Sequence, residues 1–152
     1  MNYQSTHEFF DTYNFHDGRF INVTSDNETV TFNLEYIYLS EHHPLNPFDV
    51  AKSIGPVRLT FQGVKESKGI IHEKKNEQHV PLSTLTPNDA LAFKQKEVDG
   101  GYLYEMLAND VKLLPFCTIH VIASGFTIEW DTFGEDAWYV GWDGKACSNQ
   151  RE

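Results

Sequence analysis

Seven histidines, two cysteines and twenty-two carboxylates are the groups this chain has for proton transfer, nucleophilic attack or metal binding. Their spacing decides what they can do. An aspartate beside an imidazole, as in His16-Asp17, can orient one ring nitrogen and raise its basicity for proton transfer or metal ligation. Adjacent strand residues point to opposite faces, so a contact between these two side chains needs a turn. An aspartate bonding backbone amides in that turn is the simpler reading. His120 alternates with Thr118 and Ile122 on the face opposite Ile119 and Val121. A lone hydrogen-bonded strand histidine is the simpler reading there; the alternative is a barrel cavity in which His16, Asp17 and His120 converge on a small ligand or a hydrolysable substrate.

His42 and His43 stand in a proline-bounded stretch with Glu41 and Asp49, and His72, Glu73 and His79 form a second group. Zinc needs three or four converging ligands, and neither group has the compact spacing of a metal motif. Both read as exposed loop histidines, and no metal or cofactor is expected. Cys117 falls in an apolar strand pattern and reads as a small core residue. Cys147 reads as a tail thiol, and neither has the positive surroundings that make a thiolate. No strand-turn-helix nucleophile signature is present, so no catalytic residue is assigned and a non-enzymatic role is expected.

The segment from Glu129 to Asp143 is more unusual, with five acids, five aromatics and no Lys or Arg. Rigid apolar anchors inside an acidic rim suit a basic protein partner. The partner-binding candidates are Glu129, Asp131, Glu135, Asp136, Trp138, Tyr139 and Trp142. Two other readings compete: Trp130, Trp138 and Trp142 closing the core, or the flat faces of Trp138, Tyr139 and Trp142 receiving sugar rings as a carbohydrate-binding module.

The elements that must position these groups are mostly strands. Residues 19–24 and the longer run from Val30 to Leu39 alternate about the turn residues Ser25-Asp26-Asn27-Glu28, predicting a hairpin with Val30, Phe32, Leu34, Tyr36 and Tyr38 on one face. Pro44 and Pro47 open a long excursion before a strand at Val57 to Gln62. Gly69 begins a further strand in a lysine- and glutamate-rich solvated hairpin. Cys117, Ile119, Val121 and Ala123 share a face, as do Phe126, Ile128 and Trp130, with Ser124-Gly125 as a tight connection. Thr6 to Tyr13 predicts a short helix capped by Thr6, and Thr86 to about Lys96 a second one with Pro87 at its first position, ended by Asp99-Gly100-Gly101. About seven strands and marginal helices predict a mainly β chain: an antiparallel β-sandwich or partly closed barrel with one or two short helices.

At 152 residues, with 40% hydrophobic and 14% aromatic content, the chain suits one β-rich domain spanning residues 1–152. The net charge of −10 speaks against nucleic acid, whose affinity comes from Lys and Arg neutralising phosphates. No apolar run approaches the roughly 20 residues that span a bilayer, and the first residues lack the basic start and apolar core of a signal peptide. A cytoplasmic location with reduced thiols is expected.

Phe15-His16-Asp17-Gly18-Arg19-Phe20-Ile21, followed by the alternating strand and the late Ile128-Glu129-Trp130, resembles a loose group of small bacterial uncharacterised proteins that includes immunity-like proteins of toxin systems. Their pattern opens with an apolar residue, His-Asp, a small residue and a β-hairpin; Gly18 stands where Ser is more usual. The resemblance implies a cytoplasmic bacterial protein that binds and neutralises a partner, and it identifies no catalytic residue.

Overall fold

The computed structural model describes residues 1–112 and 116–141. Among these the chain forms thirteen strands: β1 (Tyr3–Thr6), β2 (Tyr13–Asn14), β3 (Arg19–Ser25), β4 (Thr29–Glu35), β5 (Tyr38–Leu39), β6 (Lys52–Ser53), β7 (Val57–Gln62), β8 (Glu66–Glu73), β9 (Asn76–Val80), β10 (Pro87–Val98), β11 (Gly101–Asp110), β12 (Phe116–Ala123) and β13 (Gly125–Trp130). Short 3-10 helices occupy His7–Thr12 and Leu82–Thr84. Ten strands make one antiparallel sheet in the order β1-β13-β7-β4-β3-β10-β11-β12-β8-β9, and β2-β5-β6 make a small second sheet. The mainly β expectation is met.

The large sheet folds back on itself. Phe61 of β7 and Tyr104 of β11 are separated by three strands in that order, yet their rings lie 4.8 Å apart; Phe126 of β13 is 5.5 Å from Tyr104. The apolar alternation of β4, β7, β12 and β13 aims Phe32, Phe61, Ile119, Phe126 and Trp130 into the space between the two arms, where they are buried. Burial of such side chains contributes roughly 1.5–3 kcal/mol each. At one end the arms are joined by tight corners: Ser124 N–H donates to Gln62 O at 2.9 Å and Lys65 N–H to Ile122 O at 2.8 Å. Gly63 has φ +62° there, and a side chain on it would run into Ser124.

On the other side the joint between the arms is short. β3 and β10 pair at Asp89↔Arg19, and Ala90 exchanges backbone bonds with Asp17 and Gly18 before the strands part. The mouth left open by that parting is partly filled by residues 7–16.

Four expectations are corrected by this arrangement. Residues 87–98 form β10 rather than a helix, because the β11 register from Ala92↔Leu107 to Val98↔Gly101 recruits them and Asp99-Gly100 becomes a hairpin turn, with Gly100 at φ +76°; tertiary pairing overrides local helix signals. The Val30 to Leu39 strand breaks at Tyr36, whose φ of +64° reverses the alternation. Tyr36 is therefore exposed while Ile37 and Leu39 are buried. A register shift between Phe20 and Asn22 puts Phe20 inside and Ile21 outside. Finally, Ser124-Gly125 is a corner from one arm to the other rather than a hairpin, since β12 pairs with β11 and β8 but β13 with β7 and β1. The helix at residues 6–13 is present as the 3-10 turn, with Thr6 Oγ1 accepting from Glu8 N–H.

Which amides of β10 face β11 follows from the corner bond. Ile122 O points to the β8 side, so Ala123, Val121 and Ile119 bond β11 and their partners Tyr102, Tyr104 and Met106 face β12. Leu103, Glu105 and Leu107 then face β10, pairing with Lys96, Lys94 and Ala92. Phe93, Gln95 and Glu97 direct their N–H and C=O away from β11. Glu97→Pro is accordingly expected to leave the urea midpoint nearly unchanged, whereas Lys96→Pro removes a ladder bond and costs about 1–3 kcal/mol. Equal losses in urea titrations would contradict this parity.

Candidate functional site

After β13 the chain leaves the sheet and is tied along the excursion that precedes β7. Gly134 N–H donates to Ser53 O at 2.7 Å, Ser53 N–H to Glu135 O at 2.8 Å and Ala137 N–H to Ala51 O at 2.9 Å. Asp131 is held by the N-terminus, receiving Asn2 N–H at 3.3 Å. The extended backbone alternates: Ala137 and Tyr139 turn inward onto Ala51, and Trp138 between them is 43% exposed. Phe48, also exposed, meets Phe133 edge-on at 5.7 Å. Lys52 lies 4.5 Å over the Phe48 ring and bonds Asp136 at 2.6 Å.

This end is acidic. Residues 36–55 and 129–141 carry six carboxylates against one lysine, half of the net charge of −10. With Lys52 neutralised by Asp136, the exposed Asp49 and Glu135 form no ion pair among the described residues, and Asp131 lies 4.0 Å from the Met1 amine. Tyr38 registers the field: its pKa is raised by burial first, then by Asp17, Glu135 and Tyr36. Tyr38 pairs with Asn14 on one side and, on the other, with Ser53, whose N–H donates to Glu135 O.

Of the seven partner-binding candidates, Asp131, Glu135, Asp136 and Trp138 are exposed together at this end. Glu129 is half-buried on the sheet, beside Gln4 and Arg58. Tyr139 is buried and supplies no surface anchor; its alternation with exposed Trp138 turned it inward. Trp142 lies outside the described residues. Trp130 is fully buried, as the core-closing reading expected, and a sugar platform is left with Trp138 alone among the described tryptophans.

Beside this end, between residues 10–16 and β10, lies an open cleft of about 570 Å³. Phe10, Tyr13, Phe15 and Phe93 form its apolar wall, and Asn14, His16, Ser40, His42 and Tyr139 its polar rim. His16 and Asp17 do come together, because Phe15 to Gly18 is a tight turn closed by Gly18 N–H to Phe15 O at 2.9 Å. Asp17 takes φ +64° in it, a conformation Asp tolerates. A side chain at Gly18 would meet Ile37 Cδ1 at 2.6 Å. His16 Nδ1–H donates to Leu91 O at 2.8 Å, and Nε2 stands 3.5 Å from Asp17 Oδ2. The ring is thus oriented by a carbonyl and a carboxylate, and among the described residues it is hydrogen-bonded to no hydroxyl or thiol. His120 is elsewhere: it sits on the outer face of β12, 3.0 Å from Glu66, between Glu105 and Lys68. The three candidates of the alternative ligand site do not converge.

The expectation that His43 is an exposed loop residue is overturned, since it is 2% exposed. Its Nδ1 accepts Leu45 N–H at 2.9 Å, which leaves the neutral ring's proton on Nε2, 2.8 Å from Ser5 Oγ. Tyr13 Oη lies 2.8 Å from Ser5 Oγ and 2.9 Å from Thr6 O. A carbonyl only accepts, so the chain of donation runs His43 to Ser5 to Tyr13 to Thr6 O. Burial lowers the His43 pKa and pushes Tyr13 up to about 12. Ser5 Oγ therefore accepts a hydrogen bond from His43 rather than donating one to it, the reverse of an activated nucleophile. The sequence carried no local signal for this network, whose bonded members are 7 to 38 residues apart.

Cys117 is buried and its thiol is pushed up to about 12 by burial and then by Asp110, so it is an inert core residue. Cys147 lies outside the described residues. Among the described residues no three His, Cys, Asp or Glu side chains are placed to hold a metal ion, and no helix is long and apolar enough to cross a membrane. No protein-family model, curated protein or solved structure matches the chain.

Proposed function

We propose that this protein is a non-enzymatic binding domain, immunity-like in role, that captures a basic protein partner through the acidic end built by residues 41–53 and 131–138. One observation carries the reading: Trp138 and Phe48 are exposed at an end where five carboxylates stand against one lysine. Exposed aromatics supply anchoring area, and the surrounding charge steers a cationic partner and sets its salt dependence. The rim is tied down by backbone bonds to Ala51 and Ser53, which limits the ordering cost of association.

The open cleft favours a second reading, small-ligand binding with His16 and Asp17 at its mouth. Capture from native cell lysate separates the two. Immobilised wild-type protein is expected to retain one stoichiometric basic protein, identified by mass spectrometry, with retention falling at least about tenfold between low and moderate salt. The Trp138→Ala, Glu135→Gln double variant should keep its thermal midpoint and lose most of that retention. Retention unchanged by the double variant would remove the acidic end from the account and leave the cleft.

A further inference from the structure

Among the described residues, β10 beyond Leu91 has a strand neighbour on one side only. Its β3 pairing ends at Asp89↔Arg19, and the next outward-facing carbonyl, Leu91 O, is capped by the His16 ring. Phe93, Gln95 and Glu97 follow, each aiming an N–H and a C=O away from β11 into the mouth between the arms. Such a row of unpaired backbone groups is a template for another strand. The Phe93 side chain lines the cleft, so an added strand would lie alongside an apolar recess, while the exposed Lys94 and Lys96 occupy the outer face.

We propose that this edge receives an extended segment of a partner polypeptide as an added strand, with apolar residues opposite Phe93 and Gln95 and acidic residues opposite Lys94 and Lys96. Backbone bonds supply the affinity of such an addition and alternate side chains its specificity. A second copy of this chain fits poorly. A two-fold centred on Gln95 sets Lys94 against Lys96 of the other copy, and one centred on Glu97 sets glutamate against glutamate; like charges directly opposed are destabilising. A two-fold centred on Phe93 runs the copy into the Phe15–Gly18 turn. This edge lies across the cleft from the acidic end, and its Lys94 and Lys96 select the opposite charge.

Residue-resolved amide exchange by NMR tests the proposal, with acetyl-Val-Glu-Val-Glu-Val-Glu-Val-amide as probe and the Val/Lys peptide of the same length as its counterpart. In the free protein the amides of Phe93, Gln95 and Glu97 should exchange at least about tenfold faster than those of Lys94 and Lys96. Millimolar Val/Glu peptide should slow all three at least about tenfold, the Val/Lys peptide should leave them unchanged, and Glu97→Pro should weaken the probe at least about tenfold. Protection of the three amides in the free protein, exchange unaltered by the Val/Glu peptide, or equal protection by the Val/Lys peptide would each overturn it.

Discussion

Trp130→Ala is expected to lower stability by about 3–5 kcal/mol, a large fraction of the total for a chain of this size. Trp130 is fully buried at the end of β13. Its ring is stacked on Tyr3 at 5.6 Å, meets Phe133 edge-on at 6.1 Å and lies 6.2 Å from the His43 ring. It thus packs the N-terminal strand, the excursion after β5 and the base of residues 131–141 against one another. Truncation opens a cavity where these elements meet, beside the Tyr3–Phe133 and Phe48–Phe133 ring contacts at 5.0 and 5.7 Å. The indole Nε1–H is buried without an acceptor among the described residues. Trp130→Phe discards that unpaired donor along with part of the ring, so it should cost under about 2 kcal/mol. Urea titrations of the two variants check both values; a phenylalanine variant as damaged as the alanine one would mean that the indole donor is satisfied.

His43→Ala is the second large effect, expected at about 2–4 kcal/mol, because it leaves Leu45 N–H without its acceptor and Ser5 without its donor in a buried site. It also has a pH signature. Burial lowers the His43 pKa below the usual 6.5, and protonation would set two donors, Nδ1–H and Leu45 N–H, against each other. The unfolded chain takes up this proton near pH 6.5 and the folded one at lower pH. The contribution of His43 is therefore complete above pH 6.5 and falls with decreasing pH, by up to about 1.4 kcal/mol per pH unit, until the folded pKa is reached. The difference in unfolding free energy between wild type and His43→Ala should shrink from pH 7.5 to pH 5.5. A constant difference would mean that the ring takes up its proton at the same pH in the fold as in the unfolded chain.

Much of the architecture was legible in the sequence, for reasons that differ by element. Cys117, Ile119, Val121 and Ala123 alternate without interruption, and so do Phe126, Ile128 and Trp130; half-buried strands must read this way. Thr86 and Pro87 carry the local signals of a helix start, while the strand state of residues 87–98 depends on β11, a partner whose pairing no window of sequence contains. The outward turn of Tyr36 comes from a single positive φ at a bulky residue, which alternation cannot anticipate. The site divides along the same line. The acidity of residues 129–143 is a property of composition and was visible; which aromatics face out depends on the backbone bonds from Ser53 and Ala51 to residues 134–137, and that placed Trp138 outside and Tyr139 inside. His43 sits among turn-forming residues in sequence and acquires its burial from Phe9, Tyr13 and Trp130, whose rings close over it from distant parts of the chain.

The acidic end is the centre of the functional account, and a hydrogen-exchange footprint of the captured complex tests it most directly. The account predicts one basic protein in the eluate and slowed exchange in peptides covering residues 41–53 and 131–141, with the outer face of β12 around His120 unchanged. An empty eluate, or protection that bypasses those two segments, would contradict it.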